Sequence, residues 1–333
     1  MIKLLYPKFW SKRGLISFAL IPFSWIYQLL GVLRKKFASP IRLSQMVICV
    51  GNMSVGGTGK TQITLWLAKV FRKKNIKFVI VTKGYGSSLR GAKLVTPTDC
   101  AADVGDESIL LQEIAPVIAA KTVHAALPII RELNPDVVIF DDGMQNPHFI
   151  KNLNILVIDS ARAAGNWRIF PAGPLRENVN SAINRSDIII MIGSKPCNDF
   201  ELVQAVTSSQ KTIFNAGMNL TSLHDASKQY YAFTAIGDPE RFYRLLAENN
   251  LSILGKRSFP DHHNYTPEEI EELKNIAKEN DCSLITTKKD YVKISDNNGN
   301  GDSGDIICAD VALDFENEAN LLDKINEKLH KKS

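Results

Sequence analysis

The hydrophobic residues of this chain recur as short apolar runs separated by helical patterns. A β-branched run at 46–50 is followed, after a glycine-rich stretch, by apolar residues at helical spacing between 63 and 71. Continuous apolar runs bounded by polar residues are typical of strands buried on both faces of a parallel sheet. Further runs of this kind lie at 78–82, 136–140, 154–158 and 187–192, and a helical stretch covers 109–114. The alternation predicts an α/β fold whose parallel, doubly wound sheet is flanked by helices.

The pattern changes in the second half of the chain. The composition becomes polar across 208–230, and an apolar strand at 231–236 and a helix at 239–249 then restart the alternation. We place a domain boundary near residue 222, which gives a larger α/β domain at 41–222 and a smaller α/β domain at 223–333. The elements expected in the smaller domain are strands near 283–286 and 305–308, a flexible loop at 297–302 and a closing amphipathic helix at 316–331. The sequence shows no internal repeat.

The segment 15–33 is almost free of charge. As a helix it would measure about 28 Å, close to the roughly 30 Å hydrocarbon core of a bilayer, so its length permits a spanning helix. Pro22, Ser17 and Ser24 interrupt it, and basic residues flank both ends, which leaves its orientation undefined by the positive-inside rule. We therefore favour a membrane-associated helix within 1–40 that lies in the interface. A spanning anchor and a helix packed on the protein core are the alternatives.

Composition and charge narrow the class of protein only slightly. Of the 333 residues, 45% are hydrophobic and 23% are charged, as in folded globular proteins. The net charge of +5 permits an anionic lipid or phosphate partner without requiring one. The five cysteines are scattered without metal-ligand or redox spacing, which indicates reduced residues on the cytosolic side of a membrane. We expect no cleaved signal peptide, no nucleic-acid partner and a monomer.

The glycine-rich stretch is the most informative part of the chain. It matches the phosphate-binding pattern G-x-x-x-x-G-K-[ST], except that a serine replaces the first glycine. The glycines let successive N–H groups point at phosphate oxygens, and the helix N-terminus that follows favours an anion. Lys60 adds a charge for the outer phosphates, and the Thr61 hydroxyl is suited to Mg²⁺. The residues predicted to bind a nucleoside triphosphate are Ser54, Val55, Gly56, Gly57, Thr58, Gly59, Lys60 and Thr61.

Three other groups are candidates for phosphoryl transfer. Asp141 and Asp142 end an apolar run, and a strand that ends in Asp downstream of a P-loop holds Mg²⁺ directly or through water. The alternative for this pair is a solvated acidic turn. Asp106 and Glu107 precede a helix and, taken alone, indicate an acidic pair that complements the helix dipole. Arg176 lies in a loop rich in Pro and Gly, where it is either a fixed phosphate clamp or part of a surface turn.

Two further patterns are less specific. Asp261, His262 and His263 are adjacent, and because neighbouring side chains point in different directions, one metal ion held by both histidines is not expected. A histidine beside an aspartate is suited instead to proton transfer or phosphate contact. The stretch 287–290 reads Thr-Lys-Lys-Asp and matches the pattern [NT]-K-x-D that reads guanine in GTPases.

Taken together and in this order, these stretches resemble the tetraacyldisaccharide 4′-kinases, the lipid A 4′-kinase family of Gram-negative bacteria. The matching stretches extend from the N-terminal helix to about residue 294 and are 51–52, 55–61, 84–86, 104–107, 141–145, 165–166, 171–177, 237–242, 259–263 and 287–290. The P-loop is shared with many families. The sequences DDGMQ at 141–145, PAGPLRE at 171–177 and DHH at 261–263 are far more specific.

The resemblance implies a kinase that uses ATP and Mg²⁺ at the cytoplasmic face of the bacterial inner membrane. Its acceptor would be the 4′-hydroxyl of an acylated glucosamine disaccharide 1-phosphate embedded in that membrane. Asp106 would be the base that activates the hydroxyl, working with His262 when the second domain closes. The family pattern implies a catalytic set of Asp106, His262, Lys60 and Arg176, a magnesium site at Thr61, Asp141 and Asp142, and a reaction centre lined by Glu107, Glu177 and Asp261.

Several positions depart from the family pattern. Gln62 replaces a usual Pro, Lys83 a usual Arg and Asn146 a usual His, and an Arg expected near 123–124 is missing. Three rival functions remain at this point. A partitioning-type ATPase would carry a lysine where Val55 stands, a GTPase would use 287–290 to read its base, and a soluble small-molecule kinase would have no use for the apolar N-terminal segment.

Overall fold

The computed structural model describes residues 6–221, 227–261, 263–297 and 306–330. His262, the predicted boundary near 222 and most of the predicted loop 297–302 lie outside the described residues. The strands in chain order are β1 (Met46–Gly51), β2 (Phe78–Thr82), β3 (Ala92–Leu94), β4 (Val117–Ala120), β5 (Val137–Asp141), β6 (Leu153–Asp159), β7 (Ile188–Ile192), β8 (Thr212–Leu220), β9 (Gln229–Thr234), β10 (Ser252–Ser258), β11 (Ser283–Thr287), β12 (Ile306–Ala309) and β13 (Val311–Phe315). The α-helices are α1 (Leu15–Ala19), α2 (Ile21–Lys36), α3 (Lys60–Lys73), α4 (Ala101–Val104), α5 (Asp106–Gln112), α6 (Val123–Leu133), α7 (Val179–Arg185), α8 (Phe200–Ser208), α9 (Pro239–Glu248), α10 (Pro267–Glu279), α11 (Lys288–Asn297) and α12 (Glu318–His330).

The larger sheet has nine strands in the order β13-β8-β7-β6-β1-β5-β2-β4-β3. Its inner strands pair in parallel, and only the edge strands β3 and β13 run antiparallel to their neighbours. Alternate side chains enter two hydrophobic cores, with Ile48 on the face covered by α3, α5 and α12 and Val47 on the face covered by α6, α7 and α8. The predicted α/β fold with a parallel sheet between helices is confirmed.

A second sheet follows the larger one along the chain. It has four strands in the order β10-β9-β11-β12, all paired in parallel. Phe233 and Leu273 lie in its hydrophobic core on the side of α10, and Tyr230 and Leu246 lie in the core on the side of α9. This sheet with its helices is the smaller α/β unit that the sequence predicted, and it is called the second unit below.

The last part of the chain returns to the larger sheet. β13 pairs with β8, and Leu321 of α12 is fully buried in the core beneath α3. The ring of Trp66 lies 4.7 Å from that of Phe315, and its Nε1 donates a hydrogen bond to Glu318 at 2.6 Å. The prediction that 223–333 forms one unit is therefore wrong at its C-terminal end. The physical reason is that β8 offers an unpaired edge and α3 an apolar face, which β13 and α12 cover.

The N-terminal helices α1 and α2 contact the larger unit through polar side chains. Ser17 donates a hydrogen bond to the carbonyl of Ala172 at 2.8 Å, and Ser24 donates one to the carbonyl of Ile169 at 2.7 Å. Both serines are buried, whereas most of the large apolar residues of α1 and α2 face solvent. The exposed set comprises Leu15, Ile16, Phe18, Phe23, Trp25, Ile26, Tyr27, Leu29, Leu30, Val32 and Leu33. The serines that interrupt the apolar run are thus the contact points with the larger unit.

Among the residues that the structure describes, no helix combines the length and apolar character needed to cross a membrane.

We predict that Leu321→Ala lowers the free energy of unfolding by about 2–4 kcal/mol, because it opens a cavity beneath α3. Denaturant unfolding of the full chain measures this change. Asp323→Ala, at an exposed position of the same helix, is the matched control and should change stability little. An unchanged stability of Leu321→Ala would contradict the docking of α12.

Candidate active site

The phosphate-binding loop joins the end of β1 to the start of α3. Gly59 has a φ of 93°, and a Cβ on it would lie 2.8 Å from Cδ1 of Ile192, so both backbone conformation and space require glycine there. Within the loop, the side-chain amide of Asn52 donates a hydrogen bond to the Thr58 hydroxyl at 3.0 Å. The first residue of the loop, Ser54, is buried. The serine therefore occupies an inner position where a side chain is tolerated.

The loop at 171–177 is bound directly to the phosphate-binding loop. The N–H of Val55 donates to the carbonyl of Pro174 at 2.8 Å, and the N–H of Arg176 donates to the carbonyl of Met53 at 2.7 Å. An isolated antiparallel bridge joins Ser54 to Leu175 between these two bonds. These backbone bonds fix the position of the Arg176 main chain beside the phosphate-binding loop. They support the interpretation of Arg176 as a fixed clamp and not as part of a free surface turn.

Asp141 and Asp142 lie beside the start of α3. Asp141 is buried at the end of β5, where its carboxylate accepts hydrogen bonds from the hydroxyls of Thr61 at 3.4 Å and Thr64 at 3.1 Å. Asp142 accepts two hydrogen bonds from Arg176, at 2.7 and 3.0 Å, and lies 3.9 Å from Nζ of Lys60. The two neighbours therefore face different partners, hydroxyls for the first and cations for the second.

The pKa values of these two carboxyls are shifted in opposite directions, as their different partners imply. Burial, and then the negative charge of Glu107, raise the pKa of Asp141 to about 7. Burial also acts on Asp142, but the positive charges of Lys60 and Arg176 hold the pKa of Asp142 well below its usual range. A buried carboxylate with a raised pKa gains more from a bound metal ion than one that is already paired with cations, because the ion removes the cost of its charge.

Asp106 and Glu107 begin α5 and face the second unit. Asp106 is buried, and its Oδ2 lies 3.5 Å from Nζ of Lys289 and 3.4 Å from Nζ of Lys293. Glu107 lies 3.4 Å from Nζ of Lys289. The preceding residue, Gly105, has a φ of 91°, and a Cβ there would lie 2.9 Å from the carbonyl oxygen of Tyr85. The acidic pair is therefore part of an inter-unit charge cluster and not only a partner of the helix dipole.

Glu177 has different neighbours from Arg176. Its Oε1 accepts a hydrogen bond from the side-chain amide of Gln145 at 2.8 Å and is ion-paired with Arg185. The same amide of Gln145 donates to the carbonyl of Asn52 at 2.7 Å. Glu177 thus supports the segment that leads into the phosphate-binding loop, and its place in the reaction centre stays a prediction.

Asp261 approaches the phosphate-binding loop from the second unit. A Cβ added to Gly237 would lie 3.0 Å from Oδ2 of Asp261 and 3.8 Å from the backbone nitrogen of Gly57. His263 is used for packing within the second unit, where it stacks on Phe259 with ring centroids 5.0 Å apart. His262, the predicted partner of the base, lies outside the described residues.

The stretch 287–290 does not form a guanine site. Asp290 is completely buried, and its Oδ2 accepts hydrogen bonds from the hydroxyls of Thr234 and Thr287, both at 2.7 Å, and from the N–H of Ala235 at 3.0 Å. A carboxylate that reads guanine must instead be open to the base. The GTPase alternative is therefore wrong in its use of this motif.

Two arginines that the sequence analysis did not single out flank the phosphate-binding loop. Arg241 donates to the carbonyl of Gly57 at 3.2 Å and is paired with Asp159 at 3.2 Å. Arg162 is paired with Asp238 at 2.7 Å. Asp159 ends the buried strand β6, as Asp141 ends β5. An apolar run that ends in Asp was therefore a signal for Asp159 in the sequence. Arg241 lies in the matching stretch 237–242, but neither arginine could be paired from the local sequence, because Asp159 and Asp238 are distant from them along the chain.

We predict that Asp141→Asn stabilises the ligand-free protein more at pH 8 than at pH 5. The folded-state pKa of Asp141 lies above the unfolded value of about 3.9, so its ionisation costs stability as the pH rises between the two values, and Asn removes that cost. The difference in effect should be about 2 kcal/mol.

Thermal unfolding in a chelating buffer at both pH values measures this difference. Asp142→Asn is the matched control: its pKa is lowered by neighbouring cations, so the variant should lose stability at both pH values. Equal effects of Asp141→Asn at pH 5 and pH 8 would contradict the raised pKa of Asp141.

Comparison with known proteins gives matches over nearly the whole chain. The family model described as tetraacyldisaccharide-1-P 4′-kinase matches residues 16–330. A tetraacyldisaccharide 4′-kinase of Rickettsia canadensis (strain McKiel) is 48% identical over 334 residues, covering 100% of this chain and 99% of the relative. The corresponding protein of Rickettsia akari (strain Hartford) is 46% identical over 333 residues, with the same coverage.

A solved structure is similar over nearly the whole chain. It is that of LpxK from Aquifex aeolicus in complex with ATP, with a TM-score of 0.73 and 25% sequence identity, covering 95% of this chain and 100% of that chain. The match of the family model and the full-length relatives show that this chain belongs to the tetraacyldisaccharide-1-P 4′-kinase family.

Proposed function

We propose that this protein transfers the γ-phosphoryl group of ATP to the 4′-hydroxyl of a tetraacylated glucosamine disaccharide 1-phosphate in lipid A biosynthesis. Membership of the kinase family supports the reaction. The observation that carries the proposal is that Asp141 links the phosphate-binding loop to the acidic pair that begins α5. The Thr61 hydroxyl donates a hydrogen bond to Asp141, and the charge of Glu107, next to Asp106 in the chain, helps to raise the pKa of Asp141.

ATP is bound by the loop 54–61 and the N-terminus of α3. The backbone N–H groups of the loop bind phosphate oxygens, and Lys60 places its charge at the outer phosphates. Arg176, held in place by its backbone hydrogen bond to Met53, stabilises the negative charge on the group in transfer. Because Lys60 and Arg176 both face Asp142 in this structure, that carboxylate keeps the two cations in place before ATP binds.

Thr61, Asp141 and Asp142 are the residues that would hold Mg²⁺. All three present oxygen atoms, which are the ligands that this ion prefers. The carboxylate of Asp141 is buried and has a raised pKa, as expected of a group whose compensating cation is supplied on binding. When bound, Mg²⁺ neutralises charge on the outer phosphates of ATP.

Asp106 accepts the proton of the acceptor hydroxyl. The hydroxyl oxygen forms a bond to the γ-phosphorus, while the bond from that phosphorus to the bridging oxygen of ADP breaks. Such a step depends mostly on positioning and charge neutralisation, and a general base adds about 10²–10⁴-fold. We further propose that the loop carrying Asp261 and His262 completes the site from the second unit.

The exposed apolar face of α1 and α2 is proposed to lie in the membrane interface at the cytoplasmic face of the inner membrane. Apolar burial and attraction of basic residues to anionic lipid stabilise such a contact. The helix end supplies Arg34, Lys35 and Lys36. The serines on the opposite side attach the helices next to the loop 169–172, and the same loop leads into Arg176. The surface proposed to bind lipid is therefore continuous with the reaction centre, as an embedded acceptor requires.

We predict that Asp106→Asn lowers kcat by about 10²–10⁴-fold with little change in the KM for ATP, because the base is lost while the phosphate-binding loop is untouched. Transfer of labelled phosphate from γ-labelled ATP to the acylated disaccharide 1-phosphate measures both constants. Asp103→Asn, at an exposed position one turn earlier in the chain, is the control. A near-normal kcat in Asp106→Asn would exclude this residue as the base.

We predict that Ile26→Glu combined with Leu30→Glu lowers binding to vesicles containing phosphatidylglycerol at least about tenfold, because burial of each apolar side chain is worth about 1.5–3 kcal/mol. Both residues are exposed, at 56% and 60%, so thermal stability should change little. Leu254→Glu, at a residue of the second unit that is 48% exposed, is the matched control. Undiminished sedimentation of the double variant with vesicles would rule out this face as the anchor.

A further inference from the structure

Helix α11 of the second unit places two lysines on the buried carboxylate of Asp106. Nζ of Lys293 lies 3.4 Å and Nζ of Lys289 lies 3.5 Å from the same oxygen, Oδ2. The two lysines are four residues apart, so they share one face of the helix. The side chains of Lys293 and Asp106 are only 3% and 4% exposed. This contact therefore carries two buried charges across the boundary between the units.

Lys293 is fixed in this position by its own helix and by the second sheet. Nζ of Lys293 lies 3.4 Å from Oδ1 of Asp290, one turn earlier. The other oxygen of Asp290 is held by donors at the ends of two strands, namely Thr234 at the end of β9, Ala235 directly after it and Thr287 at the end of β11. The position of the ammonium group is thus set by the framework of the second unit, and it does not depend on a flexible surface side chain.

The charges around Asp106 make these lysines necessary for its ionised form. Burial alone favours the protonated form of a carboxyl, and a base must be ionised to accept a proton. The charged groups around this contact are Glu107 on α5, Lys289, Asp290 and Lys293 on α11, and Asp261 in the loop after β10, whose charge acts on Lys289. Burial opposes the charge of Lys289, but Glu107 and Asp106 outweigh it and raise the pKa of that lysine. Lys289 is therefore suited to remain charged at neutral pH.

We propose that Lys293, supported by Lys289, is a positioning residue that keeps Asp106 ionised and fixes Oδ2 for the acceptor hydroxyl. This role rests on the proposed function, in which Asp106 is the base. It also makes an active base depend on the docking of the second unit, because the larger unit supplies the carboxylate and the second unit supplies its cations.

The test is the pH dependence of kcat/KM for phosphate transfer from ATP to the acylated disaccharide 1-phosphate. Lys293→Met should move the acidic limb of the profile upward by at least one pH unit, because the ionised form of Asp106 loses a cation. Lys289→Gln should move the limb in the same direction by less, and Lys293→Arg should restore the original profile.

Lys288→Met is the matched control for the lysine variants. Lys288 lies on the same helix but is paired with Glu113 at 2.6 Å, away from the base, so its profile should equal that of the parent. Lys289 is less buried than Lys293, so Lys289→Gln decides the question if Lys293→Met does not fold.

An acidic limb that stays in place in the folded lysine variants overturns the positioning role. Asp106→Asn in the same assay separates this failure from failure of the proposed function. If that variant is inactive while the lysine variants keep the parent profile, only the role of the lysines is wrong. If it remains active, the assignment of the base is wrong as well.

Discussion

The candidate site depends on the parallel pairing of β1 with β5. The register sets Val50 opposite Asp141, and the N–H of Asp142 donates to the carbonyl of Val50 at 2.9 Å. Because parallel strands end at the same edge of a sheet, this register brings the acidic pair beside the first turn of α3. A shift of one residue would turn Asp141 to the opposite face of the sheet and away from Thr61. The hydroxyls, carboxylates and cations are therefore ordered by backbone hydrogen bonds before any nucleotide binds.

Local sequence was sufficient to predict the central strands and the phosphate-binding loop. Continuous apolar runs marked the inner strands, because a strand buried on both faces needs no polar alternation. β8 (Thr212–Leu220) and β13 (Val311–Phe315) gave no such signal, since both strands are only partly buried. Their pairing joins segments that are remote in sequence, and no local pattern encodes that. For the same reason the sequence placed the C-terminal helix in the wrong unit.

The candidate site shows the same division between local and distant information. The motif around Lys60 and the strand ending at Asp141 were readable from spacing. The interpretation of Ser17 and Ser24 as interruptions of an apolar run missed their use, because their acceptors lie in the loop 169–172. A helix that buries its hydroxyls and exposes its apolar residues reverses the usual pattern of a globular protein. That reversal is consistent with the proposed lipid contact, and the buried serines account for the orientation of the helices on the larger unit.

The division of charge between the two units links the architecture to the chemistry. The larger unit buries Asp106, and Lys289 and Lys293 of the second unit lie within 3.5 Å of its Oδ2. A buried carboxyl without those cations favours its neutral form and accepts no proton. Lys293 in turn would be an uncompensated buried charge without Asp106 and Asp290. The second unit thus supplies cations to a carboxylate that the larger unit buries, so docking of the units and ionisation of the proposed base are favoured by the same contact. In the Thr-Lys-Lys-Asp stretch at 287–290, Lys289 contacts Asp106 directly and the buried Asp290 contacts Lys293. The resemblance of this stretch to a guanine-reading motif therefore comes from spacing alone.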